Sequence, residues 1–87
     1  MVISAFDWDD DNILHIDRHG FTPEEVEEVF VGDHNVRRTR QKRYIALGET
    51  LAGRLAFVVF RRLPGGLIRV ITARDMSDSE RRLFRRK

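Results

Sequence analysis

Two histidines and a set of arginines are the side chains of this sequence best suited to chemistry. His15 and His19 stand four residues apart in "WDDDNILHIDRHG" (residues 8–20), among four aspartates. On a helix turning about 100° per residue, Asn12, His15 and His19 fall within roughly 60° of one another. Ile13 and Ile16 lie to one side of them, towards a core. An imidazole at such a border suits general acid–base work, because it changes charge near neutrality. A purely structural reading stands beside this one: His19 falls in the last helical turn, where the helix dipole favours a cation whatever the function. The pair also has metal-ligand spacing. A third ligand would have to be a carboxylate or His34, and spacing marks out neither, so no metal site is expected.

The arginines are the other candidates. Arg69 interrupts the apolar run "LIRVITAR", on the strand face assigned by strict alternation to Leu67, Ile71 and Ala73. An arginine there costs desolvation unless it is paired or lies at the edge of a site. Arg74 ends the same run, and Arg43 opens "RYIALG" beside Tyr44. The structural alternative for Arg69 and Arg74 is an ion pair with the acidic first half of the chain. Arg61, Arg62, Arg81 and Arg82 fit salt-dependent contacts to a polyanion, as does the rest of the run to Lys87.

Charge is split along the chain. Residues 1–33 hold ten acidic residues against one basic, a net of −9; residues 34–87 hold fifteen basic against four acidic, a net of +11; together they give +2. Arginine makes up all but two of the basic residues, and its rigid fork of donors suits phosphate. One reading has the halves neutralise each other; the other has a phosphate-binding surface on the second half. There are no cysteines, which excludes disulfides and thiolate metal sites and fits a reducing cytosol. The longest apolar run, Leu55 to Phe60, is far short of a membrane span, and the N-terminus lacks the pattern of a secretory signal. A cytoplasmic protein without membrane partners is expected. The sequence has no Gly-x-Ser-x-Gly, P-loop or nucleotide-binding glycine fingerprint, and no cofactor is expected. A set of histidines and arginines suits RNA cleavage by its own 2′-hydroxyl, since the substrate then brings the nucleophile.

These residues need elements to hold them. One of Asp9 to Asp11 can cap a helix running to about Arg18, with Gly20 as its stop. Thr22, Pro23 and Glu25 make the N-cap, N1 and capping-box positions of a second helix; Phe21 and Val26 form its staple, and Val26, Val29 and Phe30 its apolar stripe. The period then changes to that of strands: 43–48, 54–61 and 67–74, with a turn at "LPGG" (63–66) and a further edge strand or loop at 36–41. Phe6 and Trp8 suggest a short strand or an apolar anchor. Ser77 and Glu80 open a last helix. The expected fold is α+β in one domain, residues 1–87. Two N-terminal helices pack on a small antiparallel sheet of three to four strands, and a C-terminal helix follows. The strands at 54–61 and 67–74 are apolar on both faces, and the last helix offers too little to cover one of them alone, which leaves room for a protein partner.

The stretches "FDWDDDNILHIDRHGFTPEEVEEVF", "RYIALGETLAGRLAFVVF" and "IRVITARDMSDSERRLFRR" resemble the BrnT family of type II toxins, in the right order over about nine-tenths of the chain. The resemblance implies a RelE-like ribonuclease fold and RNA cleavage that halts translation. It also implies a small antitoxin, of ribbon–helix–helix type, that binds the toxin and represses the operon. Carried over by position, it implies a site drawing on His19, Arg43, Arg69 and Arg74, with His15 from the branch that has Asn and His in this helix. One position departs from the better-studied branch: Arg18 stands where that branch has lysine, and arginine stays protonated and is a poor general base. The reading is therefore a metal-independent endoribonuclease toxin. The alternative is a non-catalytic module that binds RNA or antitoxin and acts only in a repressor complex.

Overall fold

The computed structural model describes residues 3–85, so Arg86 and Lys87 of the basic run lie outside the described residues. The elements are β1 (Ala5–Phe6), α1 (Asp10–Asp17), α2 (Pro23–Val31), β2 (His34–Arg38), β3 (Arg43–Glu49), β4 (Leu55–Leu63), β5 (Leu67–Asp75) and α3 (Asp78–Arg85). The helix starts follow from local chemistry. Asp9 caps α1 and closes a capping box with Asn12, while Thr22 and Glu25 close the box of α2 with Pro23 in its first turn. Ser77 accepts from the Glu80 amide at 3.3 Å, and the Glu80 carboxylate accepts from the Ser77 amide at 2.8 Å. Gly20 turns the chain from α1 to α2 at φ 76°, a conformation that costs glycine little.

The sheet has five strands in the order β1-β5-β4-β3-β2. It is mixed rather than purely antiparallel, and larger than the three to four strands expected. The short β1 pairs in parallel with β5, Ala5 opposite Leu67 and Phe6 opposite Ile68. The sequence offered only two alternating aromatics there, because two residues hold no periodicity. The segment expected around 36–41 is an edge strand that starts two residues earlier and ends three residues earlier, at Arg38. "LPGG" becomes a single 3₁₀ turn over Pro64–Gly66, with Gly65 at φ 79°.

Helices α1 and α2 cover one face of the sheet. Ile16, Phe21, Val26, Val29 and Phe30 meet Ala46, Ala56, Val58, Phe60, Ile68, Val70 and Ala73 in the main core. The approach of α2 to β3 requires Gly48, where an added Cβ would stand 2.7 Å from a Val29 methyl. On the other face α3 makes a smaller cluster, with Met76 and Phe84 against Leu47 and with Ile45, Leu55, Phe57 and Leu83 half-buried around them. That second face is only part-covered, as the paucity of apolar residues in α3 predicts. Among the described residues no helix is long and apolar enough to cross a membrane.

Candidate functional site

Strict alternation would place Arg69 and Arg74, five residues apart, on opposite faces of β5. A β-bulge decides otherwise. Phe60 pairs with Val70 and Val59 with Thr72, so Ile71 is the extra residue and the alternation resets after it. Ala73 then joins Ile68 and Val70 in the main core, and Arg74 joins Arg69 on the opposite, part-covered face. The expected grouping of Arg69 with Ala73 is thus corrected by one inserted residue. The register adds two more guanidiniums to Arg69: Arg43 pairs with Arg61, and Arg61 with Arg69. Directly opposed residues share a face, so three arginines from three adjacent strands form a row spanning about 10 Å of backbone.

Arg69 is tethered at one edge of this row. Its Nη1 reaches Asp9 Oδ2 at 3.0 Å and Asp7 Oδ2 at 3.2 Å. These are partners from the acidic first half, as the structural alternative held. Hydrogen bonding to Arg69 holds the Asp9 carboxyl below its ordinary range, and Asp9 in turn raises the guanidinium. Both bonds use Nη1, so the Nε and Nη2 donors of Arg69 have no side-chain partner among the described residues. Arg69 also lines a cleft of about 130 Å³ with Asp11, Asn12 and His15. Asn12 is the hinge of that arrangement. It is 4% exposed and donates to the carbonyls of Asp7 at 2.8 Å and Val70 at 3.1 Å, which pins α1 against the bulged part of β5. Asn12 therefore lies inside rather than on the flank with the histidines, and His15 is left exposed at the rim. The His15 and His19 rings lie 6.4 Å apart between centroids.

Arg74 is held differently. Its guanidinium lies 3.8 Å above the Phe57 ring and makes two 2.9 Å bonds to Glu80. Its partner is thus a local residue of α3 rather than one of the acidic first half, because the capping box of α3 already aims Glu80 back at the end of β5. Arg74 and the Ser77 amide pull the Glu80 carboxyl down to about 2. With four paired steps between them, Arg69 and Arg74 stand about 13 Å apart along the strand.

Sequence reasoning missed Arg54. Its guanidinium sits 3.6 Å above Phe21, donates to the carbonyls of Gly20 at 2.7 Å and His19 at 3.0 Å, and pairs with Asp75 at 2.8 Å. Arg54 lowers the Asp75 carboxyl, with smaller contributions from the nearby charges of Arg81 and His19. This knot fixes the end of α1, and with it His19, beside the end of β5. Nothing in the spacing of "GETLAGR" marks it, since every partner is twenty or more residues away or across the sheet. The four arginines expected to bind RNA are dispersed. Arg61 belongs to the row, Arg62 lies on the opposite face over Tyr44, and Arg81 and Arg82 are exposed on α3. Among the described residues no three histidines or carboxylates are grouped to hold a metal ion.

A part-covered sheet face with a guanidinium row and an imidazole at its edge describes a small α+β protein suited to a polyanion. A family model described as "Ribonuclease toxin, BrnT, of type II toxin-antitoxin system" matches residues 8–80. The chain belongs to this family, so its partner is an antitoxin and its substrate class is RNA. Its fold is similar to that of the Brucella abortus ribonuclease toxin BrnT, whose crystal structure superposes with a TM-score of 0.67 at 21% identity, over 90% of this chain and 100% of that one. No curated protein sequence matches the chain.

Proposed function

We propose that the protein is a metal-independent endoribonuclease of one domain, acting in the cytoplasm, with its site on the bulged part of β5. The observation that carries this reading is that His15 and Arg69 line one cleft, at the end of the row formed with Arg61 and Arg43. A phosphate seated on the free donors of Arg69 lies beside an imidazole. The substrate 2′-oxygen attacks phosphorus and gives its proton to His15. The bond from phosphorus to the 5′-oxygen breaks, and that oxygen takes a proton from His19. The products are a 2′,3′-cyclic phosphate and a 5′-hydroxyl. Arg43, Arg61 and Arg69 hold the charge that grows on the phosphorane, where preorganised donors act most strongly. Arg74, about 13 Å along the strand, holds a flanking phosphate, and Arg81 and Arg82 extend the contact. Arg18 takes no part in the transfer, because a guanidinium is a poor general base. The antitoxin is read as a small ribbon–helix–helix DNA-binding protein, which the family resemblance supports.

Labelled RNA incubated with the protein in EDTA should yield new ends bearing a 2′,3′-cyclic phosphate, identified by mass spectrometry. Arg69→Ala should lower the rate about 100-fold or more while the protein stays folded. The carboxylates already on Arg69 and Arg74 favour a second reading, a module that binds without cutting. RNA that is retained intact, with affinity falling steeply as salt rises, decides for that module.

A further inference from the structure

A second cleft, of about 410 Å³, opens at the same end of the sheet as the arginine row but on the opposite face, lined by Arg38, Lys42, Tyr44, Arg62, Leu63 and Pro64. Three cations and one aromatic ring face it, with no carboxylate in its lining. The Tyr44 ring stacks on Phe60 at 5.5 Å and 21°, so its inner side is fixed. The Arg62 guanidinium lies over the ring, 5.4 Å from its centroid, and the ring is half-buried. Arg62 is exposed and has no ion-pair partner among the described residues, so it is free to swing aside. The backbone adds an independent sign. Gln41 and Lys42 both adopt positive φ, 62° and 61°, in the tight turn that joins β2 to β3. Such a turn normally carries Asn or Gly, and left-handed residues of other types cost energy. The strained turn supplies Lys42 to the cleft.

We propose that this cleft is a nucleotide subsite that takes one unpaired base of the RNA on Tyr44 and the adjoining phosphate on Arg38, Lys42 and Arg62. The inference rests on the RNA reading above and extends it. Single-stranded RNA is held in this way, by bases splayed onto aromatic rings with guanidiniums at the backbone. Arg43, next in sequence to Tyr44, points to the other face and belongs to the row. The strand of RNA therefore passes round the end of the sheet, from the row to Tyr44.

The test uses the full chain and two RNA oligonucleotides with the same cut site, one short and one lengthened by several nucleotides at both ends. A 2-aminopurine in each extension reports stacking. The parent protein should bind the long RNA about tenfold more tightly than the short one and quench one of the two probes. Tyr44→Leu keeps the apolar contact with Phe60 but should lose both the advantage and the quenching. Tyr44→Phe should keep both. For the short RNA, kcat and KM should be the same in all three proteins. Lys42→Asn should raise the unfolding midpoint, since Asn tolerates the turn, yet weaken binding of the long RNA only. Equal affinity of parent and Tyr44→Leu for the long RNA overturns the proposal. Unchanged RNA affinity with weakened capture of the antitoxin also overturns it and gives the cleft to the protein partner. Absence of cleavage in every protein, with the length advantage intact, defeats the cleavage reading and leaves the subsite standing.

Discussion

One side of the sheet faces α1 and α2, and the other faces α3 and solvent, although the same strands supply both. On the helix-covered side Phe60, Val58, Val70 and Ala73 are at most 1% exposed and pack in a largely apolar cluster, with the buried Asn12 side chain bonded to the Val70 carbonyl. On the other side the central strands offer Arg43, Arg61, Arg69 and Arg74 alongside Ile45, Phe57 and Val59. The difference teaches where this small domain places its stability and where it leaves room for charge. Where two helices close it, a face expels water, and a guanidinium such as Arg62, without an ion-pair partner among the described residues, stands only at its exposed end. A face closed by one short helix leaves a border where guanidiniums stay hydrated and can exchange a carboxylate for a phosphate.

That division can be broken or sharpened by substitution. The largest expected effect is on the closed side: Phe60→Ala should cost about 3–5 kcal/mol in urea unfolding, because the ring is wholly buried between Phe30 and Tyr44. Arg69→Ala on the open side should do the opposite, losing about 100-fold or more in cleavage while the unfolding midpoint moves little. If Arg69→Ala unfolds the protein and Phe60→Ala does not, the assignment of the faces is wrong. Arg54→Ala tests the knot between them. It leaves two carbonyls and Asp75 without their donor and should cost about 2 kcal/mol, with His19 losing its fixed position and activity falling as well.

Acid should act on the open side and on the knot between the two sides. Glu80 in the folded protein sits at about 2, below its ordinary 4.5, so its contribution is present above about 4.5 and is lost as pH falls through about 2. Asp75 and Asp9 are shifted in the same direction by Arg54 and Arg69, so their contributions too are lost as pH falls. The Arg74–Glu80 pair is part-exposed, so screening limits it to about 1 kcal/mol, and Arg74→Ala should flatten the acid limb of a stability–pH curve by that amount. The smallest effect is expected for Arg43→Ala, within about 0.5 kcal/mol of the parent in stability, with RNA affinity reduced and its salt dependence shallower.

Much of the fold was legible because its signals are local. Capping boxes join residues three apart, so Thr22 and Ser77 announced their helices, while the run Asp9 to Asp11 announced a cap that the structure places at Asp9. Strand periodicity in 43–48, 54–61 and 67–74 predicted the three long strands. The parallel pairing of Ala5–Phe6 with β5 was not legible, since the partner lies about sixty residues away and two residues carry no pattern. The candidate site was half legible. Residue type singled out His15, His19, Arg69 and Arg74, but type cannot say which carboxylate will pair with which guanidinium. Arg69 found Asp7 and Asp9, Arg74 found Glu80, and Arg54 escaped notice.

What the sequence determined alone is whatever depends on neighbours along the chain: the helix starts, the apolar alternation, the imbalance of charge and the family pattern. The tertiary structure decided the face on which each charge stands. A single bulged residue in β5 reverses the alternation and brings Arg74 to the side of Arg69. The physical reason is that a bulge is fixed by how β4 and β5 twist and pack together, while the side-chain period of two is fixed by the backbone of each strand alone.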